Sequence, residues 1–403
     1  MKIVTNVLIA VFVFAATVVA APPQYSVQSL GALTAQGRGP YDYRSFQIDD
    51  SGAVLGQSQS GGHSQASLWR AGVITPLGTW GNGTYSYGFA FNNSGTVAAE
   101  LDDQFVNRFA GAKTLTGSWT SGLYTSGVQF TSPRGINSLN QLVGVGSAST
   151  FEAFPLRAFF HPGVDGNARP ILLPNSSGAI SSAAFGISSN GYIAGNVGST
   201  TNTPIAAAWR RITNTQYEYG TLDVVGSTAL GVNAAGTFVG YSSTGASQWS
   251  LSTGLKTTFY PTGVATAINA EGFVVGNTIL SNVLTDPNSR AIVYYPGGTS
   301  VYDLTSLLVP GTGWVLYSAS AVNSSGQIVG YGNLGGYILT PTCYANCDQS
   351  ATAPVLTAND FVCFLNSFSQ SSPSANCDGS AVPPVLTAND FTCFLSRFAT
   401  GCP

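Results

Sequence analysis

The sequence predicts an all-β fold: a seven-bladed β-propeller closed by its N-terminal strand, followed by a small disulfide-rich α-helical module. Three observations carry this. A strand–turn–strand motif occurs seven times, and the intervals between its copies suit about four strands each. The last copy also ends one strand short, while a solitary strand stands at the front of the chain.

The motif is clearest in Ala267-Ile268-Asn269-Ala270-Glu271-Gly272-Phe273-Val274-Val275-Gly276. Its other copies place Asp49, Asn92, Asn137, Ser188, Asn233 and Asn323 where this one has Asn269. That first turn position holds only Asp, Asn or Ser, whose side-chain oxygen can accept from the backbone two residues on. Three residues later comes Gly in six copies and Asn140 in the seventh, as a left-handed backbone requires. Ile, Val or Phe precedes the turn, and Val, Leu, Ile or Phe follows the Gly by two residues. These apolar residues alternate with small ones (Gly135, Gly186, Gly231, Ala267, Ala321), the period-two mark of half-buried strands. A closing Gly, replaced only by Ala99, points to a close approach of another backbone or sheet.

Taken in order, the chain opens with an apolar run behind Lys2 and a small-residue stretch at Ala20-Ala21, so residues 1–21 are expected to be a secretory signal. A membrane anchor is the alternative, the run being about as long as the shortest spans. The stretch around residues 25–30 is the solitary strand. The first unit then reads strand, turn, strand, Ala66-Ser67-Leu68-Trp69, a turn at Arg70-Ala71-Gly72, and a last strand near Val73-Ile74-Thr75. Third strands are expected again around Ala158-Phe159-Phe160, Ala208-Trp209, Gln248-Trp249 and Ile292-Val293-Tyr294. The turn positions lie 43, 45, 51, 45, 36 and 54 residues apart. A solenoid keeps tighter spacing, and neither it nor paired sandwiches would explain the split last repeat. The strand at the front is therefore expected at the outer edge of the last blade, within a propeller spanning residues 22–341.

Composition agrees. Charged residues are 8 % of the chain, aromatics 11 % and Gly 48 residues, a mixture suited to many short strands joined by tight turns. Without Lys2 the balance is 13 basic against 17 acidic residues, 13 − 17 = −4. No basic stripe exists to neutralise phosphates, which argues against nucleic acid as a partner.

These repeats resemble the HAF-repeat family of bacterial extracellular proteins. The carriers are Gly231-Val232-Asn233-Ala234-Ala235-Gly236-Thr237-Phe238-Val239-Gly240 and the stretch from Asp303 through Gly313-Trp314 to Ser325-Gly326-Gln327-Ile328-Val329-Gly330. The triplet that names the family is not intact, its place being held by Leu156-Arg157-Ala158-Phe159 and Gln65-Ala66-Ser67-Leu68. The resemblance covers roughly residues 25–341 and implies a secreted repeat protein with no established chemistry.

Beyond Pro341 the composition changes, and all six cysteines fall in the last 61 residues. Such clustering in an exported chain implies a disulfide-stapled module, here residues 342–403. Asn346-Cys347-Asp348-Gln349-Ser350 through Asp360-Phe361-Val362-Cys363 recurs thirty residues later as Asn376-Cys377-Asp378-Gly379-Ser380 through Asp390-Phe391-Thr392-Cys393. Each copy reads as an oxygen-rich loop leading into a short helix, capped near Thr387 or Asn389 in the second. Phe361, Phe364, Leu365 and Phe368 are spaced as one buried helical face.

This duplication resembles a dockerin of the Cys-containing kind found at the C-terminus of planctomycete secreted proteins. The resemblance implies two EF-hand-like loops, each with one Ca²⁺, in residues 346–360 and 376–390. Asn346, Asp348, Ser350 and Asp360 would serve the first, with Asn376, Asp378, Ser380 and Asp390 the second. It also implies an unknown cell-surface or scaffold protein as partner of the tail. The loops carry about three residues more than that pattern, including Pro354 and Pro383-Pro384, and each has two carboxylates. A metal-free helical pair with Asp360 and Asp390 as helix caps uses the same residues. Six cysteines allow fifteen pairings; the thirty-residue register suggests Cys347–Cys363 and Cys377–Cys393, leaving Cys343–Cys402 as a clasp. Closing a ~60-residue loop contributes about 4 kcal/mol in chain-entropy terms.

No nucleophile elbow or phosphate loop occurs, and His63 and His161 stand near no nucleophile motif. Asp102 and Asp103, within Glu100-Leu101-Asp102-Asp103, are the candidate catalytic carboxylates; a pair held ~5–9.5 Å apart could serve glycoside hydrolysis. Asp49-Asp50 reads as turn chemistry. Trp80, Tyr85, Tyr87, Trp119 and Tyr124 either line a sugar-binding face or pack between blades. The expectation is a secreted or cell-surface, non-enzymatic structural or binding protein, polysaccharide being the candidate ligand of the propeller, with no membrane span after signal cleavage. A glycan-acting extracellular enzyme is the alternative.

Overall fold

The computed structural model describes residues 22–34, 46–103, 105, 107–120, 130–147, 155–164, 170–175, 180–198, 204–213, 216–280, 286–296, 298, 300–348, 350, 354–377, 380 and 383–402. The expected signal (residues 1–21), Tyr124 and Asp378 lie outside them. Seven antiparallel sheets follow one another as blades, each packed against the next and the seventh against the first.

Blade 1 is Gln47–Ile48, Val54–Ser60, His63–Arg70 and Val73–Pro76. Blades 3 to 6 repeat this order of four strands. All the third strands expected from sequence are present: His63–Arg70, Arg157–His161, Ile205–Arg211, Gly245–Ser250 and Ala291–Tyr294. Blade 2 differs. It has Ser86–Phe91, Thr96–Asp102 and Arg108–Thr114, and among the described residues its outer edge meets only a bridge from Ala112 to Thr120.

Blade 7 takes Leu316–Val322, Ile328–Gly332 and Gly335–Thr342 from the end of the repeats and Gln24–Ser29 from the front. That strand pairs antiparallel along its length, from Gln24 opposite Thr342 to Ser29 opposite Tyr337. Tyr25 anchors it: the ring is buried, and its hydroxyl lies 3.1 Å from that of Tyr295 in blade 6. The same segment crosses to blade 1, where Thr34 and Gln57 exchange backbone hydrogen bonds and Leu33 packs with Phe46. The closure expected from the split repeat is thus what the chain adopts.

The turn column does more than shape turns. Asn233 Oδ1 accepts from the backbone N–H of Ala235 and Thr237, both at 3.1 Å, as the turn chemistry requires. Its Nδ2 then donates to the carbonyl of Asn269, the equivalent residue of the next blade, at 3.3 Å. The same cross-blade bond runs from Asn92 to Asn137, Asn137 to Ser188, Asn269 to Asn323, and Asn323 across the seam to Asp49. Asp49 and Ser188 have no amide to give. Neighbours substitute there: the Asp50 N–H donates to Asn93 Oδ1, and Asn190 Nδ2 donates to the Ala234 carbonyl.

A second set of links lies further along the blades. Backbone N–H groups of Ala66, Ala110, Ala158 and Ala206 donate to hydroxyls of Ser86, Thr131, Ser182 and Ser227 at the head of the following blade. These third-strand alanines are buried, so each hydroxyl satisfies a group that water cannot reach.

The closing glycines answer to a close approach within the blade. In blades 2 to 7 the first hairpin slips register by one residue, a β-bulge. A Cβ on Gly276 or Gly330 would overlap the carbonyl oxygen of Val264 or Ser318 on the bulged strand. Blade 2 moves the glycine across the ladder, pairing Gly88 with Ala99. The small residues before the turn have another cause: a Cβ on Gly186 would lie 3.0 Å from the Leu230 carbonyl of the next inner strand.

Unfolding measurements on two substitutions separate the roles of the turn amide. Asn323→Asp keeps the turn acceptor but loses the amide's bonds to the Asp49 carbonyl and to Gln327 Oε1, and is expected to lower stability by about 1–2 kcal/mol. Asn323→Ala removes both and leaves buried donors without partners, for about 2–3 kcal/mol. Equal stabilities for the wild type and Asn323→Asp would show that the cross-blade bond contributes nothing.

Candidate functional sites

The candidate site residues read from the sequence fall in two places, one on blade 2 and one in the tail. On blade 2, Asp102 is buried at the end of its strand. Its Oδ1 accepts the backbone N–H groups of Thr84 and Tyr85, each at 2.8 Å, and Oδ2 accepts the Thr84 hydroxyl. Asp103, one residue on, closes a loop. Oδ1 accepts from the N–H of Phe105 at 2.8 Å and of Asn107 at 3.0 Å, and Oδ2 from Asn107 Nδ2 at 2.8 Å. Slight desolvation pushes the Asp103 pKa up, but these bonds outweigh it and hold the carboxyl below its ordinary range. Both candidate catalytic carboxylates therefore fix backbone.

Glu100 is buried and faces Arg108, with Nη1 3.9 Å from Oε1. Arg108 lies over the Tyr85 ring at 5.8 Å, and Tyr85 leans on Tyr87 at 4.6 Å. Trp80 meets Phe109 edge to face at 5.1 Å, and buried Trp119 donates its indole N–H to the Gly78 carbonyl. Lys113 reaches the Leu77 carbonyl and lies 5.8 Å from the Trp119 ring; burial pulls its pKa down. Trp80 and Trp119 are packing residues between blades 1 and 2, whereas Tyr85 and Tyr87 stand beside the charged pair. His161 is buried, its Nδ1 accepting from the Gly163 N–H, and His63 is exposed.

In the tail, helix α1 (Ala358–Ser369) and helix α2 (Ala388–Thr400) pack around Phe364 and Phe394, stacked at 4.2 Å. Phe361 and Phe368 join this core, but Leu365 does not: it stays 41 % exposed, because it lies about 100° around the helix from Phe364. Disulfides join Cys343 to Cys402, Cys347 to Cys363 and Cys377 to Cys393, the pairs that the thirty-residue register suggests.

Thr357 and Thr387 are the N-caps, each in a capping box with Asp360 or Asp390. Asp360 is buried; Oδ2 accepts from the Thr357 N–H at 2.7 Å and Oδ1 from the Asp348 N–H at 3.1 Å. Desolvation raises its pKa, but the bonds from Thr357, Asp348 and Cys347 prevail and keep it low. Asn346 donates to the Ser350 carbonyl and Asn376 to that of Ser380, both at 2.9 Å. Asn376 Oδ1 is buried without a hydrogen-bond donor among the described residues. An oxygen-only donor set with one buried oxygen left over fits a hard cation. Asn346, Asp348, Ser350 and Asp360, or their counterparts at 376, 378, 380 and 390, would hold it. The ion would tie each loop to its helix. Among the described residues no three His, Cys, Asp or Glu side chains gather at one place.

No family model and no curated protein matches the chain. Among solved structures it is similar to a puromycin-hydrolyzing peptidase of Mycobacterium tuberculosis, with 12 % identity and a TM-score of 0.47 over 78 % of this chain and 53 % of that one. It is similar also to a gluconolactonase from Xanthomonas campestris, with 12 % identity and a TM-score of 0.38 over 80 % of this chain and 98 % of that one. An acylaminoacyl peptidase of Pyrococcus horikoshii gives 9 % identity and a TM-score of 0.43 over 71 % and 48 %. The chain spans about half the length of the two peptidases. At such identities the likeness concerns the fold, and no chemistry is carried across.

The low pKa of Asp360 sets a direction for acid. A carboxyl whose folded pKa is depressed adds stability that is present above its unfolded pKa, about 4, and is lost as pH falls from there through the folded value. Amide exchange at the start of α1 is therefore expected to speed up over that window relative to Asp360→Asn, which lacks the titrating group. Identical profiles for the two proteins would rule out the carboxylate's bond to the Thr357 N–H as a support of the helix start.

Proposed function

We propose that this chain is an exported, non-enzymatic binding or structural module: a propeller retained at the cell surface, or in an extracellular complex, through its dockerin-like tail. The observation that carries this reading is the use of the carboxylates on blade 2. Asp102 and Asp103 are engaged in holding backbone, and Glu100 is buried against Arg108, so none is poised as a general acid or base over a cleft. Three disulfides suit an oxidising compartment. Among the described residues no helix is long and apolar enough to cross a membrane.

Within this reading the two loops bind Ca²⁺ weakly, each offering two carboxylates beside neutral oxygens. Support comes from the duplicated oxygen-rich sequence and the buried Asn376 Oδ1. The helices hold their own N-caps and a stacked Phe core, so the ion would stiffen the loops rather than create the fold.

Two measurements test the proposal. Calorimetric titration of the oxidised, full-length protein with Ca²⁺ is expected to give heat that falls by about half in Asp348→Ala, as one of two loops is lost. No heat would leave the loops purely structural. Incubation with a polysaccharide panel is expected to give binding without turnover. Turnover abolished by Asp103→Asn would replace the module with the enzyme.

A further inference from the structure

Three departures from the repeat fall on blade 2. Blade 2 alone has Ala where the others close on Gly, and among the described residues its outer edge is the one reduced to a single bridge. Eight residues after the turn, the column reads Gln57, Glu100, Val145, Asn196, Tyr241, Asn277 and Tyr331, with one charge, again on blade 2. In a repeat protein, a local rule broken without a structural gain marks a site where function takes precedence.

The same blade carries an unusual concentration of fixing bonds. Asp102 holds the segment that brings in Tyr85, while Asp103 holds the loop that carries Phe105 and leads into Arg108. A Cβ on Gly83 would overlap the Asp102 carbonyl, so that segment has no slack. Such bonds cut the ordering entropy of a surface before anything binds to it. What they hold is a ring 73 % exposed, at Phe105, and the guanidinium of Arg108, whose side chain is 28 % exposed. Among the described residues Arg108 has no acceptor at hydrogen-bond distance: its carboxylate neighbour stands at 3.9 Å and the Tyr85 ring at 5.8 Å.

We infer that this corner of blade 2 is a binding site for a neutral carbohydrate, with Phe105 as the stacking surface and Arg108 as the donor to sugar hydroxyls. The inference rests on the reading of the propeller as a binding module and names its ligand class. An exposed ring whose backbone N–H is tied to Asp103 offers apolar contact with less backbone entropy to lose. The guanidinium fork of Arg108, three residues further along the chain, supplies several N–H donors in one plane. Charge decides among glycans. Glu100, Asp102 and Asp103 against Arg108 leave the corner net negative, which disfavours uronates and sulfated chains and leaves neutral sugars.

The test is binding of the full-length, oxidised protein to neutral hexose and pentose oligosaccharides, with hexagalacturonate as the acidic comparison. Titration is expected to show binding of at least one neutral chain and none of the uronate. Phe105→Ala and Arg108→Lys, which keeps a cation beside Glu100 but loses the planar fork, should each weaken it tenfold or more at unchanged thermal midpoints, while Leu255→Ala, exposed on blade 5, leaves it intact. A preference for the uronate, or no neutral binding by the folded protein, overturns the inference. Neutral binding that both blade 2 variants retain also overturns this site, yet leaves the propeller a binding module.

Discussion

One side-chain amide, repeated around the ring, has two jobs at once. Its oxygen closes the turn of its own blade, and its nitrogen holds the backbone of the next. Neither half alone would make a propeller. A turn acceptor is satisfied within one hairpin, and a cross-blade donor is useful only if the next turn stands at the right height. Because both belong to one planar group, forming the turn correctly also sets the position of its neighbour. Each bond is worth only about 1 kcal/mol net, but repeated links of this kind make the blades depend on one another.

The seam follows the same logic. Asn323 donates to Asp49 across the first and last blades just as the other amides do between consecutive ones. The N-terminal strand then fills the outer edge of blade 7, and its continuation reaches blade 1 through Thr34. A ring held only by neighbouring contacts would remain open at one point. Here the two ends of the repeat array are joined by an amide at the first turn of the blade and by a strand at its outer edge. The tail needs none of this: its two helices share a phenylalanine core, and its loops are stapled by their own disulfides.

Much of this architecture was legible in the sequence, because a backbone constraint repeated seven times leaves the same residue type seven times. The turn residues, the left-handed Gly or Asn140, and the missing outer strand were all readable as local chemistry. The cross-blade role of the amides was not, since the turn alone already explains Asn, Asp or Ser. A signal did exist: Asn outnumbers Asp and Ser in that column, and only Asn adds an amide NH₂ that can reach the next blade while its oxygen closes the turn. Blade 2 was harder. Its third strand has Lys113 where blades 1 and 4 have Trp69 and Trp209, and its carboxylates look catalytic until their backbone partners are seen. In the tail, Leu365 fits the helical spacing yet lies on the open flank, because only Phe361, Phe364 and Phe368 line up against the second helix.

Blade 2 is a blade whose carboxylates stiffen its own surface, and beyond the repeats the tail folds around its own core. The central physical claim is that the ring behaves as one unit. Native-state hydrogen exchange, with and without residues 22–34, tests it most directly. The account predicts that inner strands of all seven blades open together with a common free energy, and that removing the N-terminal strand lowers it in every blade. Exchange accelerated in blade 7 alone, with the other six unchanged, would contradict it.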